Sequence, residues 1–156
     1  MWTTIDTPVG PLRLVATADG LTAVEFSPFR DSVPGERDDE HPVLVAAAAQ
    51  LAEYFDGART DFDLPLAPSG TDFQQRVWAE LRRIGYGQTA SYGEVAHRLG
   101  LTNAASRAVG LANGRNPLPI VVPCHRVIGA YGTLVGYAGG IERKRLLLDL
   151  ERPSLV

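Results

Sequence analysis

The fold of the second half of this chain is decided by residues 91–114, SYGEVAHRLGLTNAASRAVGLANG. Ser91 and Glu94 have the spacing of a capping box, which predicts a short helix that ends at Gly100. Asn103 can cap a further helix that continues to the end of this stretch. Two short helices around a glycine-containing turn predict a helix-turn-helix, although such pairs also occur as purely structural units.

The second helix of this pair presents small side chains around a single arginine, Arg107. Helices that read the major groove usually carry several long polar side chains, which this segment lacks. Small residues permit close approach to a duplex, and one arginine suits insertion into a groove or into a vacated position in the base stack. Tight packing against another helix would explain the alanines equally well.

The chain divides at residues 66–70, which contain a proline and a glycine, and we expect two domains, 1–69 and 70–156. The second domain opens with a capping box at residues 71–74, and the apolar face of its first helix runs to Ile84. We expect this domain to be mostly helical and winged-helix-like, with the helix-turn-helix inside it.

The first domain is predicted to be small and α/β, so the whole chain is of the α+β or α/β class. Residues 2–26 read as an antiparallel meander, and residues 27–42 read as a loop. A helix is expected over 43–55, ended by Gly57, followed by a strand over 59–66. No catalytic constellation is visible in this half.

Charge is distributed unevenly although the chain as a whole carries only −3. Residues 1–69 hold four Arg and twelve acidic residues, giving −8, and residues 70–156 hold ten Arg, one Lys and six acidic residues, giving +5. A basic second half favours a polyanionic partner, although runs such as 143–145 are also typical of solvated helix faces. Neither a bilayer-spanning apolar run nor a signal peptide is visible, so we expect a cytoplasmic protein without a membrane partner.

The only cysteine, Cys124, is followed directly by His125. The apolar run at 120–122 predicts a strand that Pro123 ends. A thiol beside a base is a candidate nucleophile, whereas a lone cysteine after a buried strand is more often a small core residue. Neighbouring side chains of a strand point to opposite faces, so joint action of Cys124 and His125 requires a bend. The other histidines are far apart in the sequence, which argues against a zinc site.

The segment Pro123-Cys124-His125-Arg126-Val127 resembles the signature of the O6-alkylguanine-DNA alkyltransferases, the methylated-DNA–protein-cysteine methyltransferases. The resemblance extends over about residues 70–151 and rests on further segments in the family's order and spacing: Phe73-Gln74-Gln75-Arg76-Val77-Trp78, Ser91-Tyr92-Gly93-Glu94, Arg107-Ala108-Val109-Gly110, Asn116-Pro117, Gly136-Tyr137-Ala138-Gly139-Gly140 and Glu151. The acidic first half resembles the family's N-terminal domain only loosely.

The resemblance implies irreversible, stoichiometric transfer of an alkyl group from O6-alkylguanine in DNA to Cys124, with O4-alkylthymine as an open second substrate. It implies that His125 takes the thiol proton through a water and that Glu151 orients His125. It further implies that Asn116 braces the active-site loop and that Tyr92 hydrogen-bonds the base.

The resemblance also implies base flipping, because a base inside a duplex cannot reach the thiol. Arg107 would occupy the vacated stack while its helix rests in the minor groove. The other DNA-binding and base-binding positions that the resemblance implies are Ala104, Ala105, Gly110, Arg115, Val127, Tyr137 and Ala138. The implied partner is double-stranded DNA containing O6-alkylguanine, with no metal or other cofactor. We expect a monomer in solution, and clustering on DNA stays open.

This chain departs from the family pattern in the helix-turn-helix, where the turn at 100–105 is one residue longer and Ser106 stands in place of alanine. Ala138 lacks a hydroxyl that some relatives carry. Three other classes stay open: a cysteine hydrolase, a non-catalytic alkylguanine-binding protein, and a helix-turn-helix regulator. The second is disfavoured by the presence of Cys124, and the third by the small side chains around Arg107.

Overall fold

The structure, a computed structural model, describes residues 1–29, 32–33, 35–129, 137 and 139–152. Contacts between residues divide the chain into two compact units, Met1–Ser69 and Gly70–Val156. Two residues that bear on the resemblance lie outside the described residues: Ala138, an implied base-binding position, and Gly136 of the same segment.

The first unit begins with three antiparallel strands in the order β1-β2-β3, so the predicted meander is confirmed. They are β1 (Trp2–Ile5), β2 (Leu12–Thr17) and β3 (Gly20–Phe26). All residues of the central strand β2 except the last are buried. Its one charged member, Arg13, forms an ion pair with Glu25 of β3 at 2.9 Å, which compensates the burial of its guanidinium.

Helix α1 (Pro42–Phe55) packs against β2 and β3. It begins one residue before the predicted start because Pro42 suits the first helical position and Nδ1 of His41 accepts a hydrogen bond from the Val43 amide. Its buried side chains recur at helical spacing, namely Leu44, Ala47, Leu51 and Tyr54. Gly57 follows the helix with φ of +77°, as expected for a residue that ends a helix.

The predicted strand over residues 59–66 is wrong. This segment makes a single bridge to β3, between Leu66 and Leu21. Leu21 donates to the Pro65 carbonyl at 2.8 Å, and Ala67 donates to the Leu21 carbonyl at 2.8 Å. Pro65 and Pro68 have no amide proton, so a longer ladder could not form at this edge.

The second unit is mostly helical, as predicted. Its elements are α2 (Asp72–Leu81), β4 (Ala90–Ser91), α3 (Tyr92–Arg98), α4 (Ser106–Gly114), β5 (Val127–Ile128) and α5 (Ile141–Glu151). Both predicted capping boxes form, at the starts of α2 and α3. Strands β4 and β5 pair in parallel. The fully buried apolar residues of the helices are Val77, Leu81, Val95, Ala96, Val109 and Leu147.

Two helix boundaries differ from the prediction. Helix α2 ends at Leu81 and is followed by a tighter turn, in which Ile84 donates to the Leu81 carbonyl and stays buried. Asn103 does not cap α4, because a 3₁₀ turn over Asn103–Ala105 precedes that helix. The Asn103 side chain lies instead 2.9 Å from Nε2 of His97 on α3.

The predicted strand over residues 120–122 is also wrong. Ile120 has φ of +75°, and the Val122 amide donates to the Leu118 carbonyl at 2.8 Å, so the segment is a buried turn. The prolines at 119 and 123 remove two amide donors that a strand would use. An apolar run of β-branched residues is typical of any buried segment, which is why it looked like a strand. Within the described part of the chain, no helix is long and apolar enough to cross a membrane.

Candidate active site around Cys124

Cys124 begins a single 3₁₀ turn, Cys124–Arg126, that leads into β5. Pro123 ends the preceding buried turn, and the Arg126 amide donates to the Pro123 carbonyl at 3.0 Å. A 3₁₀ turn has three residues per turn, so three consecutive side chains point in three different directions. All three are buried. The turn therefore replaces the strand alternation that would send Cys124 and His125 to opposite faces.

His125, Arg126 and Glu151 form one buried cluster. Nε2 of His125 lies 2.7 Å from Oε2 of Glu151, and Nε of Arg126 lies 2.8 Å from Oε1 of the same carboxylate. The Arg126 guanidinium also donates to the Ile84 carbonyl at 2.7 Å. The Arg126 guanidinium and the Glu151 carboxylate can be buried together because their opposite charges are paired and hydrogen-bonded. The last residue of α5 thereby holds the turn that carries Cys124.

The hydrogen bond to Glu151 decides which nitrogen of His125 can act as a base. An ionised carboxylate only accepts, so Nε2 carries the proton and Nδ1 keeps its lone pair. Nδ1 is buried, and none of the described residues forms a hydrogen bond with it. Burial lowers the pKa of His125 below its ordinary value, and the charges of Arg126 and Lys144 act in the same direction, whereas Glu151 opposes the shift. His125 is therefore a neutral imidazole at pH 7, with its lone pair at Nδ1.

Burial raises the pKa of the Cys124 thiol to about 11. Four groups oppose this shift by stabilising the thiolate: the Asn116 side chain, the charge of Lys144, the backbone amide of Cys124 and the Tyr137 side chain. The thiol is therefore protonated at neutral pH, while the groups that would receive its anion are already in place. Such a thiol needs a base before it can act as a nucleophile.

Asn116 lies at the foot of the buried turn. Its side-chain amide donates to the Val122 carbonyl at 2.9 Å, and its Oδ1 accepts from the Leu118 amide at 2.9 Å. One side chain thus ties together both ends of the segment that precedes Cys124, and it also reaches the thiol. These two hydrogen bonds hold residues 118 and 122 of the turn to one side chain.

Sequence reasoning missed two charged residues of this site, Lys144 and Arg126. Lys144 is completely buried, and its Nζ donates to the Val127 carbonyl at 2.6 Å. Burial lowers its pKa, whereas the nearby Cys124 raises it. A signal existed in the spacing, because Lys144, Leu147 and Glu151 recur on one face of α5 and all are buried. Arg126 lies inside the signature segment, but the resemblance assigned a role only to its neighbours Cys124 and His125.

Tyr92, at the first position of α3, lies on the side of the site that faces α4. Burial raises its pKa, and the negative charge of an ionised Cys124 acts in the same direction. A methyl group built at Gly110 would lie 3.6 Å from the Tyr92 ring. An apolar groove of about 430 Å³ lies between α3 and α4 at this point, and it is lined by Tyr92, Ser106, Arg107, Gly110 and Leu111. Arg107 and Leu111 are exposed on it.

The remaining predicted positions are distributed as follows. Ala104 is exposed and Ala105 half-buried in the 3₁₀ turn before α4, and Val127 is buried at the start of β5. Tyr137 is half-buried, and its side chain lowers the pKa of the Cys124 thiol. The structure does not bring Arg115 together with Arg107, since Arg115 follows the far end of α4, about 12 Å along the helix axis at 1.5 Å per residue.

Comparisons with known proteins agree over both units. Residues 72–153 match the profile of the 6-O-methylguanine DNA methyltransferase, DNA binding domain, and residues 1–68 match that of its ribonuclease-like domain. The chain is 51% identical to the methylated-DNA–protein-cysteine methyltransferase of Mycobacterium bovis over 152 residues, 96% of this chain and 90% of that protein. It is 47% identical to the Methanosarcina acetivorans protein of the same name over 148 residues, 94% of each. The crystal structure of Mycobacterium tuberculosis OGT in complex with DNA aligns with a TM-score of 0.89 at 50% identity, covering 97% of this chain and 92% of that chain.

Proposed function

Because this chain belongs to the 6-O-methylguanine DNA methyltransferase family, we propose that it repairs DNA directly by moving the alkyl group of an O6-alkylguanine onto Cys124. The observation that carries this proposal is the buried thiol next to a neutral imidazole whose other nitrogen is held by a carboxylate. The unit 70–156 is then the domain that binds DNA and accepts the alkyl group. The unit 1–69 is the accompanying N-terminal domain.

The first step is removal of the thiol proton. With a pKa of about 11, only about one Cys124 side chain in ten thousand is a thiolate at pH 7. Nδ1 of His125 accepts the proton through a water, and Glu151 stabilises the imidazolium that forms. The ammonium of Lys144, the backbone amide of Cys124 and the side chains of Asn116 and Tyr137 stabilise the thiolate.

The second step is displacement at the alkyl carbon. Sγ of Cys124 forms a bond to that carbon, and the bond between the carbon and O6 breaks with its electron pair moving to guanine. The guanine anion then takes up one proton, for which the Tyr92 hydroxyl is the expected donor. The proton that His125 removed from the thiol replaces it on the tyrosine, so both side chains end neutral. The lesion supplies the alkyl group and the thiol accepts it, so the step balances without a cofactor. The product is a thioether, which is a poor electrophile, and each molecule therefore acts once.

The substrate must leave the duplex to reach a thiol with only 4% of its surface exposed. Arg107 is exposed on the groove that begins at Tyr92, a position suited to a side chain that replaces the extruded base in the stack. Small residues around it permit close approach of α4 to the minor groove. Val127 and Tyr137 would line the base pocket, and Ala104, Ala105 and Arg115 would contact the DNA backbone.

The test is mass spectrometry of the intact protein and its peptides after reaction with a duplex that carries one O6-methylguanine. We expect one methyl group per protein, located on the peptide containing Cys124. The matched control is Cys124→Ala, which should bind the same duplex and remain unmodified. Binding of the lesion by the unaltered protein without methylation would instead indicate a recognition protein, and hydrolysis of a thioester probe with turnover would indicate a hydrolase.

A further inference from the structure

The groove that carries Arg107 is built from two helices, so its geometry depends on the turn that joins them. Tyr92 belongs to α3, whereas Arg107 and Gly110 belong to α4. Displacement of α4 by a fraction of a turn would move Arg107 relative to Tyr92 and thus relative to the thiol. Something must therefore hold the start of α4 against α3.

Helix capping does not hold it. Ala105 at the start of α4 and Thr102 at the start of the 3₁₀ turn make no side-chain capping hydrogen bond among the described contacts. This differs from α2 and α3, both of which open with a complete capping box. The turn that leads into α4 depends on contacts of another kind.

The contact that replaces a cap is made by Asn103. Its Oδ1 lies 2.9 Å from Nε2 of His97, six residues earlier on α3. The same oxygen lies 3.1 Å from where a methyl group would stand at Gly93, closer than an ordinary van der Waals contact, so the amide packs tightly over the glycine. These residues line a groove of about 610 Å³ that shares Tyr92 and Ser106 with the groove of Arg107.

We propose that His97 and Asn103 are positioning residues that lock the start of α4 to α3 and thereby set the position of Arg107 for capture of the extruded nucleotide. The inference rests on the proposed function. It assigns neither residue a contact with the reacting atoms, so the chemistry at Cys124 should be independent of both. The close packing of the Asn103 amide over Gly93 contributes to the same contact between α3 and α4.

The experiment compares single-turnover repair of an O6-methylguanine duplex with reaction of free O6-benzylguanine, at constant salt. His97→Ala and Asn103→Ala should each slow duplex repair about three- to tenfold, the range expected for one lost hydrogen bond, with the free-base rate unchanged. The double variant should be no slower than either single variant, because both remove one contact. His97→Gln should restore the rate, since the glutamine amide can donate in place of Nε2–H.

Two further variants keep the result interpretable. Thr102→Ala, an exposed residue of the same turn, is the matched control and should repair at the unaltered rate. Gly93→Ala should slow duplex repair when Asn103 is present and lose that effect beside Asn103→Ala, because the methyl group then has no amide to displace. An inactive unaltered protein would refute the proposed function. Two results would refute the positioning role of His97 and Asn103. One is a duplex repair rate of the single variants within twofold of the unaltered protein, and the other is a multiplication of the two losses in the double variant.

Discussion

Nε2 of His125 and Oε2 of Glu151 are 2.7 Å apart although 26 residues separate them in the sequence. Both side chains are almost completely buried, with 0% and 1% of their surfaces exposed. The same carboxylate also pairs with Arg126, so one side chain at the end of α5 orients both residues that follow the reactive cysteine. The Glu151 carboxylate therefore fixes the positions of the His125 and Arg126 side chains, and it supplies the negative charge that pairs with Arg126.

Replacement Glu151→Gln should impair both stability and alkyl transfer. It leaves the Arg126 guanidinium buried without a counter-charge, and breaking a buried pair in this way costs about 3–5 kcal/mol of unfolding free energy. It also removes the anion that stabilises the His125 imidazolium, so we expect transfer to slow about a hundredfold. Thermal melting and single-turnover kinetics below the melting temperature measure the two effects. Glu142→Gln, an exposed change on the same helix, should alter neither. A normal transfer rate in Glu151→Gln would remove His125 from the role of base.

The rate of alkyl transfer should depend on pH through His125. Its pKa is held below 6.5 by burial, so the neutral base persists throughout the neutral range. We expect the rate of reaction with O6-benzylguanine to be constant near pH 7 and to fall only at a pH below 6.5. Stability should decline in the same direction, since the unfolded chain takes up its proton first as the pH falls. Quenched single-turnover assays and urea unfolding titrations across pH 5–8 measure the two effects. A decrease of the transfer rate centred above pH 6.5 would contradict the role given to His125.

Replacement Lys144→Met should slow transfer by removing the cation that stabilises the thiolate. The methionine retains most of the buried volume, so the loss can be attributed to the charge and to the bond with the Val127 carbonyl. We expect about a tenfold decrease with both duplex and free O6-benzylguanine, because the effect acts on the thiol rather than on DNA. Arg145→Met, an exposed change on the same helix, should leave the free-base rate unaltered. Equal free-base rates for Lys144→Met and the unaltered protein would restrict Lys144 to a packing role.

Replacement Arg107→Ala should slow repair in a duplex far more than reaction with free O6-benzylguanine. The side chain is exposed on the groove beside Tyr92 and makes its contribution only when a base must be held outside the stack. We expect at least about a tenfold loss with duplex, corresponding to about 1.4 kcal/mol or more. Arg83→Ala removes an equal charge from another exposed position and is the matched control for non-specific attraction. Equal losses with both substrates would assign Arg107 to folding.

The sequence by itself determined the elements that depend on neighbouring residues. The capping boxes at 71–74 and 91–94 form as predicted because each needs only groups three residues apart. The meander of the first unit and the end of α1 at Gly57 follow from local turn and helix-end preferences in the same way. The reactive thiol was also identifiable, since its signature is contiguous.

Tertiary structure alone decided how these parts are used. The alternating segment 59–66 and the apolar segment 120–122 both resemble strands in sequence. Hydrogen-bonding partners elsewhere in the chain, and prolines that cannot donate, determined otherwise. Lys144 looked like a surface residue until the packing of α5 buried it against the Val127 carbonyl. The pKa values of Cys124 and His125 depend on burial and on charges that lie far away in the sequence, so no local pattern contains them.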